Sequence, residues 1–331
     1  MALRNAVLRV LPATALFVGL TAQAGEVIDA SGRTVKVAEP VARIAAAGPP
    51  AEVLLYALAP DAMVGWVRGV PPQVAPFITA QAKALPTIGG VTAQGDAPDM
   101  SGVLATKPQL IVDFGDIDAR YTALATKTQE RTGVPYVLLD GELAKTPENL
   151  RMLGKLTGRV ARSEELAVYA EALLARAKKA AEGHAPVKVY VARSADGTNS
   201  TLAGTHSGDV YDLAGLKNVA LYEDASVVQV KGWDPDAIIA LDPKFADTAK
   251  GPLWADVRAV QAGRVLMPPR LPYGWTDRPP SVNRLIGVLW LTSKLYGQPT
   301  QSEMRIETAH FYNLFYHVDL SAAQITALIG S

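Results

Sequence analysis

The chain has 331 residues, 32 basic and 32 acidic side chains, and an apolar content of 49%. These values are typical of a globular protein large enough for two lobes with separate cores. A net charge of zero gives no support to nucleic-acid binding, which usually shows as a basic excess or stripe. The lack of cysteine excludes disulfides, thiolate metal sites and cysteine nucleophiles.

Residues 1–24 have the features of a cleaved signal peptide. Arg4 and Arg9 precede a short apolar run, and "TAQA" ends in the small-x-small pattern of a cleavage site, so we place cleavage after Ala24. The apolar run is shorter than the roughly 20 residues that span a bilayer. Because no cysteine follows to carry a lipid, we expect a protein that is free in the periplasm and not a lipoprotein.

The next part of the chain predicts an N-terminal α/β lobe over residues 25–145. Residues 26–37 alternate about a Ser-Gly turn, which predicts a β-hairpin. Strands and helices then alternate, which is typical of parallel α/β layers. The predicted strands are 43–48, 63–66, 109–115 and 135–140, and the predicted helices are 51–59 and 118–133.

Residues 146–184 interrupt this alternation. Ala, Leu, Glu, Lys and Arg dominate, and apolar residues recur at helical spacing, which predicts a helical strut of one long helix or two nearly collinear ones. Strands predicted at 187–193, 237–242 and 264–269 then resume the alternation and indicate a C-terminal α/β lobe with terminal helices over 185–331. The predicted fold class is therefore α/β, with parallel-type sheets in two lobes joined by the helical strut.

Enzyme and bare-metal motifs are missing from the sequence. There is no Walker loop or dinucleotide-binding glycine motif, and Ser207 in "GTHSG" is one place away from the position of a nucleophile elbow. The four histidines have no metal-ligand spacing. We therefore predict a binding protein that is not an enzyme and has no intrinsic metal or cofactor.

Charged and aromatic residues follow the predicted strands, where the loops of α/β lobes usually hold ligands. Arginines bind carboxylates, hydroxamates, catecholates and oxyanions, and aromatic rings supply apolar area. Each residue also has an ordinary structural interpretation, such as a core position for Trp66, a solvated charge for Arg68 or a helix cap for Asp116. The set as a whole predicts a site that grips a flat, partly anionic ligand between two walls. Its members are Trp66, Arg68, Asp116, Arg193, His206, Tyr273, Trp275 and Arg278.

Arg284 is a further candidate. It lies at a predicted helix start, where the macrodipole disfavours a cation, so we expect an anion near it.

Several blocks resemble the periplasmic binding proteins of iron-complex and cobalamin ABC importers. "VIDASGRTVKVAEPVARIAAAG" (27–48) is similar to the opening hairpin and first strand of that family, and "LATKPQLIVDFG" (104–115) to a later strand entry. Further similar blocks are 189–197, 232–240, 251–269 and 274–287. The resemblance implies two α/β lobes bridged by one long interdomain helix, with the ligand cleft between the lobes. It also implies a binding protein that captures a metal chelate, most of all a ferric siderophore, for an ABC permease.

Other ligands and one other class of function remain open. Haem would need an axial ligand such as Tyr273 or His206, and His206 is also placed to contact an open metal position of a chelate. Cobalamin, a nickel or cobalt chelate and an oxyanion such as molybdate are the other ligands. The alternative from a different class of function is a periplasmic sensor or adaptor protein. We expect a monomer in each case.

One departure from the family concerns the permease. The family usually carries a glutamate on each lobe to meet arginines of the permease, and here Ser101 and Val228 stand at those places. Asp99 or Glu223 is the nearest substitute. The resemblance therefore implies weaker docking, docking through other contacts, or its loss.

Overall fold

The computed structural model describes residues 23–92 and 99–330. The predicted signal peptide thus lies almost entirely outside the described residues. The described chain begins with the predicted antiparallel hairpin, formed by β1 (Gln23–Ile28) and β2 (Thr34–Glu39). Asp29 fixes the turn, because its carboxylate accepts hydrogen bonds from the backbone N–H groups of Ser31 and Arg33.

The N-terminal lobe contains a parallel sheet in the order β3-β4-β5. Its strands are β3 (Ile44–Ala46), β4 (Leu110–Gly115) and β5 (Tyr136–Asp140). Its helices are α1 (Pro49–Leu58), α2 (Ala80–Lys83), α3 (Ser101–Ala105) and α4 (Ala119–Thr132). The strand predicted at 63–66 is present only as isolated bridges, in which Met63 pairs with Ile44 and Trp66 with Thr87.

The predicted strut consists of two helices that fold back on each other. These are α5 (Thr146–Thr157) and α6 (Val160–Ala181), and Gly158 ends α5 in the left-handed conformation. Arg151 forms ion pairs with both Glu164 and Glu171. In collinear helices Arg151 and Glu171 would lie about 30 Å apart at 1.5 Å per residue. The prediction of a single or collinear strut is therefore wrong: α5 packs on the N-terminal lobe, and α6 alone leads to the next one.

The C-terminal lobe contains a parallel sheet in the order β7-β6-β8-β9. Its strands are β6 (Lys188–Ala192), β7 (Lys217–Asn218), β8 (Ala237–Ala240) and β9 (Val265–Leu266). Four short helices lie between the strands: α7 (Asp209–Leu213), α8 (Val227–Trp233), α9 (Phe245–Thr248) and α10 (Arg258–Gln261). The chain ends with α11 (Arg284–Tyr296), α12 (Gln301–Tyr316) and α13 (Ala322–Ile329).

The main hydrophobic core is continuous between the lobes. Leu54 of α1, Leu166 of α6 and Leu289 of α11 belong to one buried cluster. The hydroxyl of Tyr56 on α1 donates a hydrogen bond to the carbonyl of Tyr316 on α12 at 2.8 Å. The lobes are thus joined by shared packing as well as by α6, and this packing resists a large rotation of one lobe against the other. Within residues 23–92 and 99–330, no helix has both the length and the apolar character to cross a membrane.

Candidate ligand-binding cleft between the lobes

A cavity of about 380 Å³, called here the interlobe cleft, lies at the carboxyl ends of β4 and β6. This is the edge where ligands bind in open parallel sheets. Both lobes supply its walls, and most of the lining side chains are polar. The N-terminal lobe contributes Pro50, Thr92, Asp113, Phe114, Gly115, Asp116, Tyr121 and Gly141, and the C-terminal lobe contributes Arg193, Thr201, Thr205, His206, Ser207, Glu223 and Pro280.

Two glycines hold the ends of β4 and β5 together below the cleft. The N–H of Gly141 donates a hydrogen bond to the carbonyl of Gly115 at 2.8 Å. A Cβ atom on Gly141 would lie only 2.6 Å from the Cα of Gly115, so a larger residue would push the two strand ends apart. This close approach keeps the carboxylates of Asp116 and Asp140 within reach of the same partner.

That partner is His206, which bridges the lobes. Its Nδ1 lies 2.5 Å from Asp116 Oδ1, and its Nε2 lies 3.1 Å from Asp140 Oδ1. Burial lowers the pKa of His206, but hydrogen bonds and charge from Asp140 and Asp116 outweigh burial, so the pKa is raised. Both ring nitrogens are engaged. The expected contact of His206 with a metal position would therefore require the bridge to break.

Asp116 contributes to the bridge and does not cap the following helix. The N-cap of α4 is Asp118, whose carboxylate accepts a hydrogen bond from the N–H of Tyr121 at 2.9 Å. The side chain of Asp116 is 55% exposed and lines the interlobe cleft. Asp116 follows β4, as predicted. The alternative, in which Asp116 caps the next helix, is wrong, because Asp118 is the cap.

Arg284 is fully buried next to the backbone of His206. Its guanidinium donates hydrogen bonds to the carbonyls of His206 and Gly141 and forms an ion pair with Asp209. Burial lowers the pKa of Arg284, and the nearby charge of Asp209 opposes that shift. The anion expected beside Arg284 is thus a carboxylate of the protein itself. This corrects the prediction that Arg284 binds the ligand, because its donors are used in joining the lobes.

The other predicted arginines divide between the cleft and its surroundings. Arg193 lines the cleft with a side chain that is 31% exposed, and its Nη2 lies 3.0 Å from the buried carboxylate of Asp277. Arg278 is exposed, donates a hydrogen bond to the carbonyl of Arg193 and lines a separate cavity of about 80 Å³. Arg68 is exposed and is not among the described residues that line either cavity.

The predicted aromatic wall lies in the protein interior. Trp66 and Trp275 are both 0% exposed. The indole N–H of Trp66 donates to the carbonyl of Ala82 at 2.8 Å, and that of Trp275 donates to the hydroxyl of Tyr312 at 3.2 Å. Tyr273 packs against the main core. Within the described chain none of the three lines the interlobe cleft, which corrects the prediction that they stack on the ligand.

The structure adds carboxylates that the sequence interpretation missed. Asp113 is 5% exposed, and burial raises its pKa to about 6, although it accepts hydrogen bonds from the hydroxyl of Tyr136 and the N–H of Phe114. Glu223 lines the cleft from the loop after β7. Asp140 is the last residue of a predicted strand, so a search of the carboxyl ends of the predicted strands would have found it. Asp113 lies within β4, and Glu223 follows a strand of two residues, so neither had a clear signal.

Among the described residues, no group of three or more His, Cys, Asp or Glu side chains is arranged to hold a bare metal ion. The cleft instead presents Arg193, His206 and Glu223 from the C-terminal lobe and Asp116 from the N-terminal lobe. Such a lining suits an organic ligand that has both hydrogen-bond donors and acceptors.

A family model supplies the identification. The model of the periplasmic binding protein family matches residues 54–270. The chain belongs to the periplasmic binding protein family. It is therefore a binding protein of the kind used by ABC importers, and the structures it resembles are transport binding proteins. Both the recognised family and the α/β fold with parallel sheets agree with the sequence prediction.

Solved structures of similar proteins cover most of the chain. An ABC transporter solute-binding protein from Sulfurospirillum deleyianum is 25% identical with a TM-score of 0.81, over 92% of this chain and 99% of that one. The molybdate-bound periplasmic binding protein MolA of Haemophilus influenzae is 18% identical with a TM-score of 0.70, over 90% and 99%. A protein of an Fe³⁺-hydroxamate transport system from Saccharomonospora viridis is 19% identical with a TM-score of 0.61, over 81% and 98%. A search of curated protein sequences finds no match.

Proposed function

We propose that the protein captures a small metal chelate, with ferric siderophores as the first candidates, and delivers it to an ABC permease. The observation that carries this proposal is the lining of the interlobe cleft, where carboxylates from both lobes lie beside Arg193 and His206 of the C-terminal lobe. Arg193 is placed to bind a ligand oxygen, and Glu223 and Asp116 are placed to accept ligand hydrogen bonds. A chelate with hydroxamate or catecholate oxygens and amide N–H groups offers both kinds of partner.

The carboxylates of the cleft favour a chelate of low net charge, such as a neutral ferric hydroxamate, over a free oxyanion. Asp113, Asp116 and Glu223 all line the cavity, and like charges at close range repel an unshielded anion. The molybdate-binding and Fe³⁺-hydroxamate relatives are both below 25% identity, so they support the fold and supply candidate ligands only. Of these two candidates, the Fe³⁺-hydroxamate class fits the lining better.

The size of the cleft favours a small chelate over cobalamin or haem. A cavity of about 380 Å³ lies near the lower end of the range of small-molecule sites, roughly 300–1,000 Å³. Haem would also need an axial ligand, whereas His206 has both nitrogens engaged and Tyr273 packs in the core. Small ferric complexes are therefore the first ligands to test.

Export and delivery complete the proposal. Cleavage after Ala24 would release the protein into the periplasm. Ser101 and Val228 are exposed at the places where the family carries docking glutamates, so docking on the permease would use other contacts. Glu223 lines the cleft, which leaves Asp99 as the better substitute for a docking carboxylate.

The test uses protein exported to the periplasm of a bacterial host and purified from it. Its N-terminal sequence checks the cleavage site. Isothermal titration calorimetry then compares ferric hydroxamate, ferric catecholate, haemin, cobalamin, nickel–histidine and molybdate. We expect one-to-one binding that is tightest for a ferric complex. Binding of molybdate alone, or of none of these ligands, would overturn the proposal.

A further inference from the structure

The interlobe cleft meets a second cavity at the His206 bridge. This second cavity has a volume of about 710 Å³ and is lined mainly by acidic residues, among them Asp118, Glu142 and Asp212. The two cavities share three lining residues, Asp116, Thr205 and His206. The hydrogen bonds of His206 thus run from the C-terminal lobe to the N-terminal lobe at the boundary between the cavities.

We propose that the His206 side chain is a gate that separates the interlobe cleft from the second cavity and thereby sets the size of ligand the protein accepts. This inference rests on the proposed function, because the size limit applies to a ligand in the interlobe cleft. With the gate closed, a ligand is confined to the smaller cavity. With the ring turned away from Asp116 and Asp140, a longer ligand extends into the larger one.

The contacts around His206 allow its ring to move while its backbone stays in place. The carbonyl of His206 accepts a hydrogen bond from the buried guanidinium of Arg284. Asp209, the ion-pair partner of Arg284, accepts a hydrogen bond from the N–H of Leu143 at 2.7 Å. The imidazole is 26% exposed, and its partner carboxylates are 55% exposed for Asp116 and 31% exposed for Asp140. Opening therefore needs a rotation of one side chain and no movement of the lobes.

The charges that face His206 keep the gate closed when the ring carries both protons. Asp116 and Asp140 accept from the two ring nitrogens only if both are protonated. The raised pKa of His206 is consistent with that state. The other charged groups facing the ring or its loop are Asp209 and Arg284 beside it, Asp118, Glu142 and Asp212 around the second cavity, and Asp113, Arg193 and Glu223 around the cleft. Most of these are carboxylates, so they also favour the imidazolium.

Nuclear magnetic resonance of the ring nitrogens tests the gate without any ligand. The chain has four histidines, and a His206→Asn variant assigns the signals of His206. We expect both ring nitrogens of His206 to be protonated near pH 6.5, with at least one N–H protected from exchange with water. A neutral or freely exchanging ring in the wild-type protein would overturn the gate.

Calorimetry tests the size limit with two probes, ferric acetohydroxamate and a linear ferric trihydroxamate. In His206→Ala, the affinity ratio of the large to the small complex should rise about tenfold over the wild-type ratio. An Asp116→Asn variant should also raise this affinity ratio. His184 is exposed and lies outside both cavities, so His184→Ala should leave the ratio unchanged. An equal ratio in all variants overturns the size limit but not the proposed function. If neither complex binds any variant, the size limit fails together with the proposed function, whereas the resonance experiment still decides whether the His206 bridge forms.

Discussion

Arg284 and Asp209 form an ion pair in the interior where the two lobes meet. The arginine is fully buried, and the carboxylate side chain is 14% exposed. Each also bonds to the N-terminal lobe, Arg284 through the carbonyl of Gly141 and Asp209 through the N–H of Leu143. The pair therefore holds the base of the interlobe cleft at a fixed geometry.

Replacement of Arg284 by Met should lower the free energy of unfolding by about 3–5 kcal/mol, because the charge of Asp209 would stay buried without a partner. Urea unfolding measures the change. Arg258→Met is the matched control, since Arg258 pairs with Asp234 and Asp236 at the surface and should contribute much less. An equal loss in the two variants would contradict a structural role of the buried pair.

Glu52 should make stability depend on pH. Its carboxylate is 2% exposed, and burial raises its pKa from 4.5 to about 7, although the N–H of Val67 donates to it at 2.7 Å. Between these two pH values the folded protein binds a proton that the unfolded chain releases, so the free energy of unfolding should fall as pH rises. The loss is on the order of 3 kcal/mol.

A Glu52→Gln variant keeps a side-chain acceptor for the N–H of Val67 and removes the titration. Urea unfolding from pH 4 to 8 should show that the difference in stability between the variant and the wild type changes with pH up to about pH 7 and is then constant. Parallel curves for the two proteins would mean that Glu52 does not titrate in this range.

Replacement of Gly287 by Ala should destabilise the protein by about 1–3 kcal/mol, the usual effect of overpacking. A Cβ atom there would lie 1.8 Å from the carbonyl oxygen of Trp275. Gly232→Ala is the control, because its Cβ would meet no atom within 4 Å and alanine has the higher helix propensity. Thermal unfolding should show a lower melting temperature for the first variant and an equal or higher one for the second. A higher melting temperature for Gly287→Ala than for Gly232→Ala would refute the close packing of the Trp275 loop on α11.

Replacement of Arg193 by Ala should weaken ligand binding by about tenfold, because a charge-assisted hydrogen bond contributes about 1.5–3 kcal/mol. Arg68→Ala is the control, since Arg68 is exposed outside the interlobe cleft. Calorimetry with ferric acetohydroxamate measures both. If the two variants bind alike, Arg193 does not contact the ligand.

The sequence predicted most of the strands, because they follow from local patterns, but only three of the nine predicted site residues line the interlobe cleft. Asp116 and His206 line the cleft because they lie in loops at the carboxyl ends of parallel strands, and Arg193 lies there too. The fold of α5 on α6 was missed, since helical periodicity is the same for collinear and for folded helices. Gly158, which ends α5 in the left-handed conformation, was a local signal of the break between the two helices.

The loop before α11 misled the interpretation for a different reason. A Pro/Gly-rich segment usually lies at the surface, so Trp275 was expected to face a ligand. Gly274 allows the loop to fold tightly on itself, and Gly287 of α11 allows the helix to approach Trp275 closely, so that Trp275 is buried. The anion near Arg284 was expected from the helix dipole, but its identity as Asp209, far away in the sequence, depends on the tertiary fold.

The most direct test of the central claim is a crystal structure of the protein with ferric acetohydroxamate, in which anomalous scattering locates the iron. We predict one iron site in the interlobe cleft, with chelate oxygens within hydrogen-bond distance of Arg193. An iron site elsewhere on the protein, or an empty cleft at saturating chelate, would contradict the account.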